Sequence, residues 1–306
     1  MRWRRGGKSH TLCGLTLATV AVLGSACTTV APSTSGAIVV VAAERQWGSI
    51  ISAIGGKDVN VTNVISSPTI DPHGYEPSPR DANAVAVANY VVLNGLGYDS
   101  WMTRLIAASG HEPLVANVGE RLQLGLGANP HRWYSPSDVE AMTRIIDHDL
   151  SQIRPNLASV FHQRAVAFRT VTLADYNAQR SWIRTNAAGM NIGASESMFS
   201  LLMDDLHLHV ATPQRFLFSV SEGGEPTAHD LSLINRDLRR HAISLYLENV
   251  QNVTPAVAAQ VALARSLTPP IPVVQMTETP PRNQSFAEWQ AGQLHALRNA
   301  LTKELE

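Results

Sequence analysis

Short apolar runs alternate with amphipathic stretches between residues 37 and 154. The apolar runs that predict strands are residues 37–43, 59–65, 90–93 and 113–118, and amphipathic runs such as 47–54 and 100–108 predict helices between them. Strands that alternate with helices are typical of an α/β unit with a largely parallel sheet. We therefore expect residues 37–154 to form an N-terminal α/β lobe.

The next segment keeps a helical period without a break. Residues 155–185 contain no glycine or proline after Pro155 and repeat apolar side chains at helical spacing, which predicts one long helix. A second series then predicts strands at 191–194, 243–247 and 271–276 and helices at 196–206, 254–267 and 286–305. The predicted fold class is α/β, with two Rossmann-like lobes joined by one long backbone helix at 155–186 and a C-terminal lobe at 187–306.

Residues 1–26 have the layout of a signal peptide. An apolar run covers residues 11–23, small residues occupy 24–26, and the segment contains basic but no acidic side chains. The basic residues are Arg2, Arg4, Arg5 and Lys8. Removing these four from the 24 Lys and Arg residues leaves 20 against 25 Asp and Glu. The exported chain is therefore mildly acidic and has no basic stripe, so we expect no nucleic-acid partner.

Cys27, directly after this segment, resembles the acylated cysteine of bacterial lipoproteins. The other cysteine, Cys13, lies in the apolar run that cleavage removes, so Cys27 has no partner for an internal disulfide. Gly24 stands where the lipoprotein pattern prefers leucine, and Leu23 is one position too early, so ordinary cleavage with a free thiol is the alternative. The Thr-, Ser- and Pro-rich stretch that follows predicts a flexible tether at 27–36.

Two loop motifs each place a histidine directly after a proline. They read Asp-Pro-His-Gly-Tyr-Glu-Pro at residues 71–77 and Asn-Pro-His-Arg-Trp at 129–133. Proline fixes φ and removes a competing donor, so each imidazole is aimed from a restrained loop. Both histidines follow predicted strands, and ligands gather beyond the carboxyl ends of strands in such sheets. An isolated loop histidine is more often merely solvated, but this placement favours a shared metal site for His73 and His131.

The second lobe offers carboxylates at the corresponding places. Glu196 directly follows the strand at 191–194, and Thr277 and Glu278 directly follow the strand at 271–276. Two ligands from each lobe would close a site across the cleft. The alternative for Glu196 is an acid at a helix N-terminus, which the helix dipole favours.

Five segments together resemble the metal-specific solute-binding proteins of bacterial ABC importers for zinc and manganese. They are residues 71–77, 94–101, 129–133, 225–227 and the closing helix with Trp289. The resemblance implies two α/β lobes joined by a rigid helix, with one divalent ion (Zn²⁺ or Mn²⁺) bound between them as cargo. It also implies delivery to an ABC transporter permease, no catalysis and a monomer. With Cys27, it implies an exported protein that is lipid-anchored on the extracytoplasmic face of the cell membrane.

The same resemblance implies a ligand set. His73 matches the first histidine ligand of the family, His131 matches the second, and Glu196 falls where the family has histidine or glutamate. The fourth family ligand is an aspartate, and strict register puts Thr277 at its place, where a hydroxyl is a poor ligand. Glu278 is one position further on and its longer side chain reaches back, so we expect Glu278 as the fourth ligand, with water as the alternative.

The metal and the function class each have alternatives. A tetrahedral set of two histidines and a glutamate fits zinc, whereas a bidentate glutamate favours manganese; the chain also lacks the His- and acid-rich loop of many zinc-specific relatives. A zinc hydrolase needs an open coordination position beside a general base, and no His-Glu-x-x-His pair occurs. An adhesin would bind a host ligand without metal, and a degenerate sensor or accessory component would have lost transport with the change at Thr277.

Overall fold

Two four-stranded parallel sheets form the cores of two α/β lobes. The computed structural model describes residues 36–67, 70, 74–125 and 127–306. The strands of the first sheet are β1 (Ile38–Glu44), β2 (Val59–Ile65), β3 (Tyr90–Leu93) and β4 (Leu114–Asn117). Those of the second sheet are β5 (Asn191–Ala194), β6 (His209–Val210), β7 (Leu245–Asn249) and β8 (Val273–Met276).

Helices cover both sheets and connect them. The first lobe contains α1 (Arg45–Gly55), α2 (Pro79–Ala86), α3 (Ser100–Ala108), α4 (Val118–Arg121) and α5 (Pro136–Ile153). Between the lobes lie α6 (Ala158–Ala167) and α7 (Ala174–Asn186). The second lobe contains α8 (Ser200–Asp205), α9 (Gln214–Ser221), α10 (Ala228–Arg239), α11 (Pro255–Ser266) and α12 (Phe286–Leu305).

The two sheets share one topology, and this confirms the predicted fold class. Their strand orders are β2-β1-β3-β4 and β6-β5-β7-β8, with every neighbouring pair parallel. The first strand of each lobe thus lies between the second and the third. The second strand is added on one side of it, and the third and fourth strands are added on the other. A crevice opens beyond the carboxyl ends of the strands at such a point, and it is where α/β sheets bind ligands.

The segment between the lobes differs from the single unbroken helix that the sequence predicts. It begins with a 3₁₀ turn at Pro155–Leu157, and a π-helical turn at Phe168–Thr172 separates α6 from α7. The amide of Leu173 donates to the carbonyl of Phe168 at 2.9 Å, which is the wider spacing of a π turn. Three consecutive β-branched residues, 170–172, lose side-chain freedom in an α-helix, and they occupy this turn.

The second lobe also shows shorter elements than expected. In place of one helix at 196–206, a 3₁₀ turn at Ser197–Phe199 leads into α8. The expected signal peptide at 1–26, Cys27 and all but the last residue of the tether at 27–36 lie outside the described residues. Within the described part of the chain, no helix combines the length and the apolar character that crossing a bilayer requires.

One continuous cluster of buried apolar side chains extends through both lobes. Helix α12 of the second lobe links them, because the Trp289 ring lies 5.9 Å from that of Tyr134 in the first lobe. The amide of Phe286 also donates to the Ser49 hydroxyl of α1 at 2.8 Å. A shared core of this kind resists separation of the lobes, because separation would expose apolar surface from both.

Candidate metal site

Three hydrogen bonds from the segment around His131 join the lobes at the carboxyl ends of their sheets. The indole of Trp133 donates to the carbonyl of Glu278 at 3.0 Å, and the Tyr134 hydroxyl donates to the carbonyl of Thr277 at 2.6 Å. The Asn129 amide donates to the carbonyl of Ser197 at 2.7 Å. All three donors belong to the first lobe and flank His131, so the loop that carries this histidine is fixed to the second lobe.

His131 is 2 % exposed and has one defined tautomer. The Oδ1 atom of Asn129 accepts from the His131 backbone amide at 3.0 Å and lies 2.9 Å from the ring Nδ1. Because that oxygen only accepts, Nδ1 must carry the proton and donate it. In the neutral ring the lone pair is then on Nε2, which lies 3.5 Å from Oε1 of Glu278. A metal-binding imidazole needs this arrangement of one anchored N–H and one free nitrogen.

Glu196 lies directly after β5 and is 1 % exposed. Its carboxylate accepts hydrogen bonds from the side-chain amides of Asn249 and Asn252. Burial is the main cause that raises the pKa of Glu196 to about 7, and the neighbouring Glu278 carboxylate raises it further. Glu196 makes no side-chain cap on the 3₁₀ turn that follows it, which argues against the helix-terminus alternative.

Glu278 lies directly after β8 and reaches toward the first lobe. Its Oε1 accepts from the Tyr98 hydroxyl at 2.5 Å, and its Oε2 lies 3.5 Å from the Asn249 amide nitrogen. Its backbone amide donates to Oε1 of Gln251 at 2.6 Å, which fixes the start of the side chain. The Asn249 amide at the end of β7 thus bridges the Glu196 and Glu278 carboxylates, which follow the two strands on either side of β7.

Thr277 has a structural role at this place. Its hydroxyl accepts from the Trp289 indole at 2.8 Å, and its amide donates to Oε1 of Gln293 at 2.7 Å. With its carbonyl bound by Tyr134, each polar group of Thr277 is engaged. This geometry favours Glu278 over Thr277 as a ligand, because Glu278 is the residue that approaches His131.

His73 and its neighbours Asp71 and Pro72 lie outside the described residues, so the position of His73 stays a prediction. The second half of the motif is described. The Tyr75 hydroxyl donates to Asp81 at 2.8 Å, and the Tyr75 ring packs against Trp101 at 4.9 Å. Asp81 also forms a capping box with Ser78 at the start of α2. These contacts anchor the C-terminal end of the loop to the first lobe.

Of the four predicted ligands, the structure links three by contacts, namely His131, Glu196 and Glu278. Their contacts are pairwise, since His131 approaches Glu278 and Asn249 links Glu278 to Glu196. Within the described ranges, which omit residues 71–73, no three His, Cys, Asp or Glu side chains form one ligand group. Binding a metal ion would therefore require the carboxylates to turn from their hydrogen-bond donors toward Nε2 of His131.

Two further acids near this place were not predicted from the sequence. Glu44 ends β1 and Asp99 precedes α3, and both side chains are 0 % exposed. Asp99 accepts from the backbone amides of Asn94 and Gly95 at 2.6 and 2.7 Å. The protonated Glu44 carboxyl group donates a hydrogen bond to the Asp99 carboxylate. Burial, then the Asp99 charge, raises the pKa of Glu44 well above its usual value, and Glu278 contributes in the same direction.

The sequence did contain a signal for Glu44, because an acid directly follows an apolar strand there as it does at Glu196. The asparagine side chains that hydrogen-bond to His131 and Glu196 gave no such signal in the sequence. Asn129, Asn249 and Asn252 are loop or strand-end residues whose role depends on contacts between distant segments.

Comparison with known proteins identifies a matching family and several relatives. A family model described as ZnuA, zinc-uptake complex component A periplasmic, matches residues 40–300. The manganese-binding lipoprotein MntA of Halalkalibacterium halodurans is 29% identical over 140 residues, which cover 44% of this chain and 45% of that protein. The iron-binding protein YfeA of Yersinia pestis is 27% identical over 159 residues, 48% of this chain and 50% of that protein. The chain thus spans about half the length of these two relatives.

The fold has solved counterparts as well. The solute-binding protein FpvC of Pseudomonas aeruginosa, in complex with Mn²⁺, superposes with a TM-score of 0.70 at 19% identity. The superposition covers 87% of this chain and 99% of FpvC. At this identity the likeness concerns the fold.

Proposed function

The chain belongs to the family of periplasmic zinc-uptake complex component A proteins, and on that premise we propose that it captures one divalent transition-metal ion, Zn²⁺ or Mn²⁺, between its lobes. It then delivers the ion to the permease of an ABC importer. The observation that carries this proposal is the approach of His131 Nε2 in the first lobe to Glu278 Oε1 in the second, at 3.5 Å. The relatives named as manganese- and iron-binding proteins support it.

The proposed ligands are His73, His131, Glu196 and Glu278. Imidazole nitrogens suit zinc and its neighbours, whereas carboxylates shift the preference toward harder ions such as manganese. The set contains two ligands of each kind. Each must bind without its proton, and burial of His131 and Glu196 excludes the water that would otherwise compete for the ion.

The contacts between the lobes determine how the site can capture and transfer an ion. The shared core and α12 hold the lobes together, so binding shifts loops and side chains rather than closing a wide hinge. The side-chain amides of Asn249 and Asn252 hold the carboxylates in the cleft by hydrogen bonds, and the bound ion replaces these bonds.

We further propose that residues 1–26 direct export, that Cys27 carries the lipid anchor, and that the carrier is a monomer without catalytic activity.

Metal analysis of the purified, chelator-treated protein after competitive loading with zinc and manganese tests the proposal. We expect about one equivalent of a single divalent ion, since the proposed ligands form one site. If neither metal binds stoichiometrically, the carrier function is wrong despite the fold.

The metal affinity is expected to fall as the pH is lowered from about 8 to about 6, because protons compete for the ligands. Burial and Glu278 raise the pKa of Glu196 to about 7. A raised carboxyl pKa favours the protonated form, so acidification through this value removes a ligand charge. Chelator-competition titrations at several pH values measure the effect, and the Glu196→Gln variant should show a shallower pH dependence. A wild-type affinity that is constant over this range would contradict ligation by Glu196.

Tyr98→Phe is expected to weaken metal binding by about 10-fold, as loss of a group that orients a ligand does. The variant removes the hydroxyl that donates to Glu278 Oε1. It should also lower the free energy of unfolding by about 1.5–3 kcal/mol, since the lost hydrogen bond goes to a charged group. Titration and urea unfolding measure the two effects.

Tyr90→Phe is the matched control for this variant. Tyr90 is buried in the same lobe and donates to the carboxylate of Asp149 at 2.9 Å. This control should lose stability and keep its metal affinity. Equal affinities for Tyr98→Phe and the wild type would show that Tyr98 does not orient Glu278 for the ion.

A further inference from the structure

The end of β7 and the loop that follows it carry three amide side chains, which belong to Asn249, Gln251 and Asn252. In the second sheet β7 lies between β5 and β8, the strands that Glu196 and Glu278 follow. An amide group offers both donors and an acceptor and carries no charge. This loop can therefore hold both acids from the strand between them without competing for the ion.

The Asn249 side chain has one defined orientation. Its Oδ1 accepts from the backbone amide of Gln251 at 3.0 Å. Because that oxygen only accepts, the nitrogen of the same group faces the two acids. It donates to Glu196 and lies 3.5 Å from Oε2 of Glu278. The backbone of Gln251 thus determines which atom Asn249 presents to the carboxylates.

The side chain of Gln251 holds the backbone that carries Glu278. Its Oε1 accepts from the amides of Glu278 and Thr279 at 2.6 and 3.0 Å. Its Nε2 donates to the Thr279 hydroxyl at 3.0 Å. One side chain therefore restrains two consecutive residues of the segment that follows β8, and it does so through three hydrogen bonds.

The same segment is held from the first lobe at other atoms. Trp133 and Tyr134 donate to the carbonyls of Glu278 and Thr277. The carbonyls are thus bound to the first lobe, whereas the amides of Glu278 and Thr279 are bound to Gln251 of their own lobe. Without Gln251 these two amides lose their acceptor, and the segment can turn about the carbonyls that the first lobe holds.

We propose that Gln251 is a positioning residue of the metal site, which acts through the backbone of Glu278 and sets the direction from which this carboxylate meets the ion. The proposal rests on the proposed function, since it concerns the same ion. Groups that orient a ligand typically contribute about 10–100-fold in metal affinity. A carboxylate binds an ion through one oxygen or through two. A small rotation of the Glu278 backbone therefore changes the coordination of the ion as well as its affinity.

The Gln251→Met variant tests this proposal, because methionine keeps the length of the side chain and removes the oxygen that accepts from the two amides. We expect the Mn²⁺ affinity of the full chain to fall by about 10–100-fold. At saturating Mn²⁺ the electron paramagnetic resonance spectrum of the bound ion should differ from that of the wild type. A loss of stability alone would not alter this spectrum once the site is filled. Gln251→Glu keeps an acceptor for both amides and should retain the wild-type spectrum.

Gln179→Met is the matched control. Gln179 is 5 % exposed and lies between α7 and α12, where it accepts from Arg298 at 3.0 Å and donates to Asp175 at 2.9 Å. This control should lose stability and bind Mn²⁺ with the affinity and the spectrum of the wild type. Thermal unfolding of the metal-free proteins shows whether each variant is folded before binding is compared.

Thr279→Val approaches the same contact from its other side. It removes the hydroxyl that accepts from Nε2 of Gln251 and leaves the acceptor for the amides in place. We expect a smaller loss of Mn²⁺ affinity than in Gln251→Met. If Gln251→Met does not fold, the comparison of Thr279→Val with the wild type decides, and equal affinities would overturn the inference.

The outcomes separate this inference from the proposed function. A folded Gln251→Met protein with the affinity and the spectrum of the wild type would show that Gln251 does not position Glu278, while the carrier function would stand. An equal loss of affinity in Gln179→Met would also overturn the inference, because the effect would then follow from stability. If the wild type binds no metal, the proposed function itself fails.

Discussion

His131→Ala is expected to abolish metal binding at micromolar concentrations. Loss of a group that merely orients a ligand costs about 10–100-fold in affinity, so loss of a buried ligand should cost more than about 100-fold. His131 is the proposed ligand whose geometry is best defined, because Asn129 fixes its tautomer and Nε2 faces Glu278 at 3.5 Å. Isothermal titration with zinc and with manganese measures the loss.

His162→Ala is the control for this variant, since its imidazole is exposed and pairs with Asp147 away from the cleft. The control should bind one ion like the wild type. His131 also contacts the rings of Tyr98 and Trp133, at 5.9 and 5.4 Å, so thermal unfolding must show that His131→Ala is still folded. A folded His131→Ala protein that binds metal like the wild type would remove His131 from the site.

Glu278→Ala and Thr277→Val are expected to have opposite effects. Glu278→Ala removes the proposed fourth ligand and should lower the metal affinity by more than about 100-fold. Thr277→Val should keep the affinity and lower the free energy of unfolding by about 1–3 kcal/mol, because the buried Trp289 indole loses its acceptor. Metal analysis and urea unfolding of both variants measure these effects.

This pair of variants also decides the register of the last ligand. Thr277 occupies the place at which the related carriers are expected to have aspartate, whereas in the structure Glu278 is the residue that approaches His131. Loss of binding in Thr277→Val, with binding retained in Glu278→Ala, would contradict the assignment of Glu278. Retention in both would leave water as the fourth ligand.

The sequence was sufficient for the architecture and for part of the site. Apolar runs of strand length separated by amphipathic stretches predicted the first sheet and three strands of the second, because period and length distinguish such elements. The two-residue strand β6 (His209–Val210) was too short to be recognised. Glu196 and Glu278 were predicted from their positions directly after strands, and the structure places both near His131. His73 follows the same logic and stays a prediction.

The features that were missed depend on contacts between distant segments. The π turn at Phe168–Thr172 arises inside a stretch whose apolar period looks continuous, so periodicity alone did not reveal it. The contact of Glu44 with Asp99 requires the strand order, which brings β1 beside β3 and the loop that follows it.

The hydrogen bonds from Trp133 and Tyr134 to the carbonyls of Glu278 and Thr277 have a mechanical consequence. They tie the backbone next to the second-lobe acid to the turn that directly follows His131. Backbone movement on one side is therefore transmitted to the other, so we expect the distance between His131 and Glu278 to stay nearly constant when the lobes shift. On the proposed function, release of the ion is then a local exchange, in which side chains rotate while the surrounding backbone stays in place.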